Sequence, residues 1–156
     1  MQQRTARSSV VAVAFLAAAC LVTPVLAQTA PPGGEGFKAL KTVCGGCHTL
    51  ALVTDRMRTS ADWRRVFEKM ARLGLPGADE EVYAAGDYVR DHLTVVDVNT
   101  APAAEIARVL GVSRAAAEAI VARRGQRPFS GLDDLASVPG VDRARLEQRK
   151  QKILFL

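Results

Sequence analysis

The run Cys44-Gly45-Gly46-Cys47-His48 is where residue type and spacing point most directly at chemistry. Two thiols three positions apart, followed at once by an imidazole, form the C-x-x-C-H pattern of covalent haem attachment. The thiols add to the two vinyl groups of haem, and the adjacent His reaches the iron from the same face as the fifth ligand. A redox dithiol or a simple disulfide would explain the cysteines but leave His48 without a role. A zinc site is short of ligands, because the chain's only other His is His92 and its only other Cys is Cys20. The expectation is one covalent haem c per chain. Its sixth ligand must come from Met57, Met70 or His92, or the position stays open.

Met57 lies between Arg56 and Arg58, where nothing directs it inward. His92 reads as a solvated side chain. Met70 shares a helical face with Trp63, Val66 and Phe67, and Leu73-Gly74-Leu75-Pro76-Gly77 then supplies a loop able to pack on a flat ring. Met on an apolar face is ordinarily core packing; beside a haem, Met70 is the favoured axial ligand. A thioether there raises the reduction potential and leaves no substrate position, which suits electron transfer. An open site would suit sensing.

The elements around these residues read as helices. Phe37, Leu40 and Val43 follow helical spacing into Cys44. Thr59-Ser60-Ala61-Asp62 is a capped helix start. A third helix opens near Ala78-Asp79 and places Val82, Gly86, Val89 and Leu93 along one side. A glycine inside a helix costs about 1 kcal/mol relative to Ala, so Gly86 is expected at a close helix–helix or helix–haem contact.

The N-terminus reads as an export signal. Arg4 and Arg7 precede the uncharged stretch Val10–Ala19, and Val25-Leu26-Ala27 offers a cleavage site. The stretch is shorter than the ~20 residues of a membrane span. Lipid attachment at Cys20 is disfavoured by the spacing of Leu16 and by the following Leu21-Val22. The expected organisation is a signal over 1–27, a flexible lead over 28–33, a haem domain over 34–93, a short apolar hinge over 94–98 and a second domain over 99–156. The expected location is the periplasm. Without the signal, 19 basic and 16 acidic residues remain; 28–93 carries nine of each sign, and 94–156 carries ten basic against seven acidic.

Residues 34–93, through CGGCH and RTSADWRRVFEKM, resemble a small class I cytochrome c domain of the kind that serves periplasmic dehydrogenases. The resemblance implies a haem-wrapping helical fold. It assigns thioether bonds to Cys44 and Cys47, and axial ligation to His48 and Met70.

The second domain contains a repeat. Ala107–Arg114 aligns with Ala136–Arg143 at an offset of 29 residues, matching at five of eight positions. Each copy runs from an apolar segment through a Gly turn into a second helix, over Ala115–Arg124 and Ala144–Leu154. Pro128-Phe129-Ser130-Gly131 supplies a turn and an aromatic plug between them. Short helices joined by periodic turns mean an all-α unit. This part, through VNTAPAAEIARVLGV and AEAIVARRGQRPFSGLDDLASVPGV, resembles a tandem helix-hairpin-helix domain of the ComEA-like type. The resemblance implies non-sequence-specific binding of double-stranded DNA by hairpin backbone N–H groups backed by basic residues. Its contacts would be Gly111, Ser113, Arg114, Gly140, Arg143 and Arg145. The chain departs from the pattern where Ser113 and Asp142 replace the second glycine of each hairpin, and a carboxylate at a phosphate seat repels.

The fold class expected is all-α, a small cytochrome c fold joined to tandem helix-hairpin-helix. The leading reading is an electron carrier between a periplasmic redox partner protein and an acceptor, not an enzyme and without a small-molecule substrate. On that reading the basic second domain docks or tethers the carrier. The alternatives are an envelope DNA-binding protein carrying a structural or redox haem, and a haem-based sensor.

Overall fold

A computed structural model describes residues 32–156. The expected signal and Cys20 lie outside the described residues. The first part holds α1 (Glu35–Gly45), α2 (Ala51–Thr54), α3 (Ser60–Arg72) and α4 (Asp79–His92). Helix α1 packs along α4 because Leu40 and Val43 recur on one side of the first, and Ala85, Tyr88 and Val89 on one side of the second. Helix α3 begins where the sequence signals it: the Thr59 hydroxyl accepts from the Asp62 N–H at 3.2 Å. One turn later Trp63 is buried, and its indole N–H donates to the Leu93 carbonyl at 3.0 Å.

Gly86 departs from expectation. A Cβ built there meets nothing within 4 Å, so no close helix–helix contact requires the glycine. The tight approach lies at Gly77, where φ is +111° and a Cβ would come within 3.2 Å of Val43 Cγ2. That glycine lets the loop after α3 fold back against α1.

Residues 94–98 are not a hinge. Thr94 through Val98 are all buried. Thr94 bridges to Arg58, and β1 (Val96–Asp97) pairs in parallel with β2 (Ile153–Leu154), Val96 opposite Ile153 and Asp97 opposite Leu154. The segment is thus bound to the first part on one side and to the end of the chain on the other. Buried Asp97 accepts from Thr100 Oγ1 at 2.6 Å and from the N–H groups of Asn99 and Leu156 at 3.1 and 3.3 Å.

The second part contains α5 (Ala103–Leu110), α6 (Arg114–Arg124), α7 (Leu132–Ala136) and α8 (Arg143–Arg149). The helix expected over Ala144–Leu154 is shorter: α8 ends at Arg149, one 3-10 turn covers Lys150–Lys152, and Ile153–Leu154 is strand. Ile106, Leu110, Ile120, Phe129, Leu135 and Leu146 fill the core. Asn99 fixes the turn between the hairpins, accepting from Phe129 N–H at 2.7 Å and donating to Phe129 O at 3.0 Å.

Basic side chains of the second part terminate α4 of the first. Arg108 donates to the Arg90 carbonyl at 3.0 Å and to Ser60 Oγ at 3.2 Å, and Lys152 donates to the Asp91 carbonyl at 2.7 Å. The last carbonyls of a helix lack intrahelical donors and carry partial negative charge, so cations there are favourable. Burial, with Arg149 nearby, pushes the Lys152 ammonium below its ordinary pKa.

Candidate functional site

A cavity of about 240 Å³ opens between α1, α3 and the loop after α3. Cys44, Cys47, His48 and Met70 all line it. Three elements bring them there. The last turn of α1 delivers Cys44, the turn beyond it Cys47 and His48, and the apolar face of α3 carries Met70 one turn beyond Val66 and Phe67. The loop residues Leu75 and Pro76 form the far wall.

The lining is almost wholly apolar. Val43 and Val89, expected on helix faces but not at the cavity, and Val53, which the sequence did not single out, supply walls from α1, α4 and α2. Their signal was burial periodicity, which does not separate a cavity wall from ordinary core. Burial pushes the Cys44 thiol above its usual pKa, so at neutral pH it is held as the thiol and not as a reactive thiolate. Both cysteines are free. His48 Nδ1 lies 3.2 Å from the Thr49 carbonyl. A hydrogen placed on Nδ1 to satisfy that carbonyl leaves the Nε2 lone pair for a ligand.

Among the described residues, no three His, Cys, Asp or Glu side chains gather where they could hold a metal ion by themselves. The donor set here is two thiols, an imidazole and a thioether around an apolar slot. That suits a flat apolar cofactor with its own metal better than a bare cation. Met57 and His92 are placed elsewhere. Met57 faces a polar depression beside the cavity, and exposed His92 stacks against Tyr88 at 4.5 Å.

The hairpins form the second candidate surface. Gly111 (φ +67°) and Gly140 (φ +80°) both turn in the left-handed region. The two turns pack across each other's partners: a Cβ built on Gly111 would lie 3.8 Å from Cδ of Arg145 in α8, and one on Gly140 3.6 Å from Ala116 Cβ of α6. Ser113 and Asp142 occupy equivalent N-cap positions. Ser113 Oγ accepts from Ala116 N–H at 3.1 Å, and the Asp142 carboxylate from Ala144 N–H at 2.9 Å. The replaced glycines are therefore helix caps, and each takes an N–H from the first turn of the helix it starts.

The arginines of the second part are largely engaged within the chain. Arg114 pairs with Glu118 at 2.8 Å, and Arg143 with Asp133 and Glu147. Arg123 and Arg127 converge on Asp134, and Arg124 donates to the Val98 and Ala101 carbonyls at 2.9 and 2.6 Å. Of the arginines expected at DNA, Arg145 alone has neither an acidic partner nor a carbonyl among the described residues. Exposed pairs are worth only ~0–1 kcal/mol each, but a phosphate would have to compete with each of them.

No curated protein and no solved structure matches this chain. Residues 92–154 match the family model of the helix-hairpin-helix motif. The match begins at His92, just ahead of the buried strand, and ends at Leu154 of β2. The parallel pair β1–β2 therefore belongs to the same unit as the two hairpins, and that unit, residues 92–154, is a helix-hairpin-helix module.

Proposed function

We propose that this chain is an exported c-type monohaem cytochrome that passes single electrons in the periplasm, its helix-hairpin-helix module used for docking or tethering. The observation that carries the reading is the convergence of Cys44, Cys47, His48 and Met70 on one apolar cavity. Cys44 and Cys47 would hold haem through thioether bonds, and His48 Nε2 and Met70 Sδ would ligate its iron. Bound there, haem supplies a one-electron iron couple. The Thr49 carbonyl orients the His48 ring. Phe67, Leu75 and Pro76 exclude water from the slot, and Trp63, fixed by its bond to Leu93, holds α3 at the correct height. With His48 and Met70 both holding the iron, no position would be left for a substrate, and the protein would act as a carrier rather than an enzyme.

The test is expression of the full chain in a host that attaches c-type haem during export. The expected product has the mass of the processed chain plus one haem that survives denaturation, and Cys47→Ser loses the second bond. A chain exported without covalent haem would sink the reading.

Binding of double-stranded DNA is the second reading, favoured by the helix-hairpin-helix match and by unpaired Arg145 beside the Gly111 turn. Against it stand Asp142 and the engaged arginines. Titration of the mature protein with random duplex at two salt concentrations decides. Salt-sensitive binding that is lost in Arg145→Ala would put DNA first.

A further inference from the structure

Residues 28–93 carry no net charge, yet their charges are segregated. Residues 55–72 hold six basic and three acidic side chains, whereas 78–92 hold five acidic and one basic. The acidic stretch is α4, the helix whose end the helix-hairpin-helix module covers with Arg108 and Lys152. The module's positive charge is thus partly directed at the acidic helix of its own chain. The basic side stays with solvent: Arg56 and Lys69 are exposed there.

This basic side adjoins the cavity. A polar depression lined by Arg56, Arg58, Arg65 and Lys69 shares Val66 and Lys69 with the cavity wall. Two acids in it contribute little opposing field. Asp62 is committed to Arg65 and to the Thr59 hydroxyl, leaving Asp55 against the remaining cations. At the same mouth Leu73 lines the cavity while 71% exposed. An apolar side chain with cations at its rim has the anatomy of a protein docking patch.

We propose that the α2–α3 surface around Leu73, Arg56 and Lys69 docks the acidic surface of a redox partner protein and brings the cavity mouth against it. The proposal rests on the electron-carrier reading and specifies its partner. It also moves the docking charge from the helix-hairpin-helix module, where its excess invited the assignment, to the nominally neutral half. A protein fits better than a nucleic acid because exposed, apolar Leu73 lines the cavity mouth beside these cations. A duplex needs a continuous basic track.

The test uses full-length protein with covalent haem verified first by mass; failure at that stage removes the electron-carrier reading, not the surface. Poly-L-glutamate is the acidic probe, titrated by calorimetry, and ferricyanide is the anionic oxidant, followed by stopped flow. Poly-L-glutamate is expected to bind at low salt, and the oxidation rate to fall about fivefold or more between about 10 and about 300 mM salt. In Arg56→Glu/Lys69→Glu binding is lost and the salt dependence flattens, whereas Arg149→Glu/Lys150→Glu, on the far module, keeps both. Poly-L-glutamate binding is measurable on the chain even without haem, so the surface is tested in either case. Binding that follows Arg149 and Lys150, a rate indifferent to salt, or random duplex DNA bound more tightly through Arg56 and Lys69 would each overturn the proposal.

Discussion

Met70 lines the cavity beside Cys44 and His48 because a single face of α3 carries it there, so its thioether is the side chain to remove first. Met70→Ala is expected to lower the reduction potential of the haem-loaded protein, measured by spectroelectrochemistry. An unchanged potential would move the sixth position away from Met70. Asp62 supplies a prediction that does not involve haem. The Thr59 hydroxyl, then Arg65, holds its carboxyl below the usual carboxylate range. Its folded pKa thus lies below its unfolded one, so its contribution is complete above the ordinary carboxylate value of ~3.9 and is lost as pH falls through the folded value. Asp62→Asn should flatten the fall of the thermal midpoint below about pH 4, while a fall as steep as the parent's would remove Asp62 from that role. At this scale the sequence was readable wherever the signal was local. Thr59 and Asp62 announce a cap, and Trp63, Val66, Phe67 and Met70 announce a face. Asp142 misled because family likeness suggested a phosphate seat, whereas its position before Arg143-Ala144 already had the form of an N-cap.

Two glycines that look alike in sequence play opposite parts in their elements. Gly86 sits within α4 with open space where a side chain would go, so Gly86→Ala should stabilise the fold by roughly 0.5–1 kcal/mol through helix propensity. Gly77→Ala should destabilise, because φ is +111° and Val43 crowds the new methyl. Denaturant midpoints of the two variants should move in opposite directions; a fall for Gly86→Ala would show that the space has an occupant. Helix existence was legible here, since 3.6-residue periodicity is an intrinsic property of each segment. Helix ends set from outside were not. The last turn of α4 is completed by Arg108 and Lys152, and Ile153-Leu154 leaves helical geometry because its strand partner is Val96-Asp97. Neither partner is visible in the local pattern, which is also why 94–98 read as a hinge and proved to be a buried segment with strand at Val96–Asp97.

Across the whole molecule, that buried segment sets how the two halves behave together. Thr94 to Val98 lie in the interior, Arg58 pairs with Thr94, and Arg108 reaches Ser60 and Arg90. A boundary with so little exposed linker is expected to unfold in one step. Calorimetric and van't Hoff enthalpies should agree, and limited proteolysis should not release two halves. Two separate transitions would contradict this. The division into a helical first part and a repeated second part was legible from composition and the 29-residue repeat, but its rigidity was not, because the ties are made by single long-range side chains. The pairing of β1 with β2 carries one further consequence, for the order in which the chain is made. Val96 is synthesised well before Ile153, yet it has no strand partner until Ile153 and Leu154 have been delivered. As the chain is made, Val95, Val96 and Val98 therefore wait uncovered while the rest of the module emerges, and such waiting apolar strands are where newly made chains associate wrongly. Synthesis that stalls after α7 would leave that strand open, and the arrival of β2 closes it.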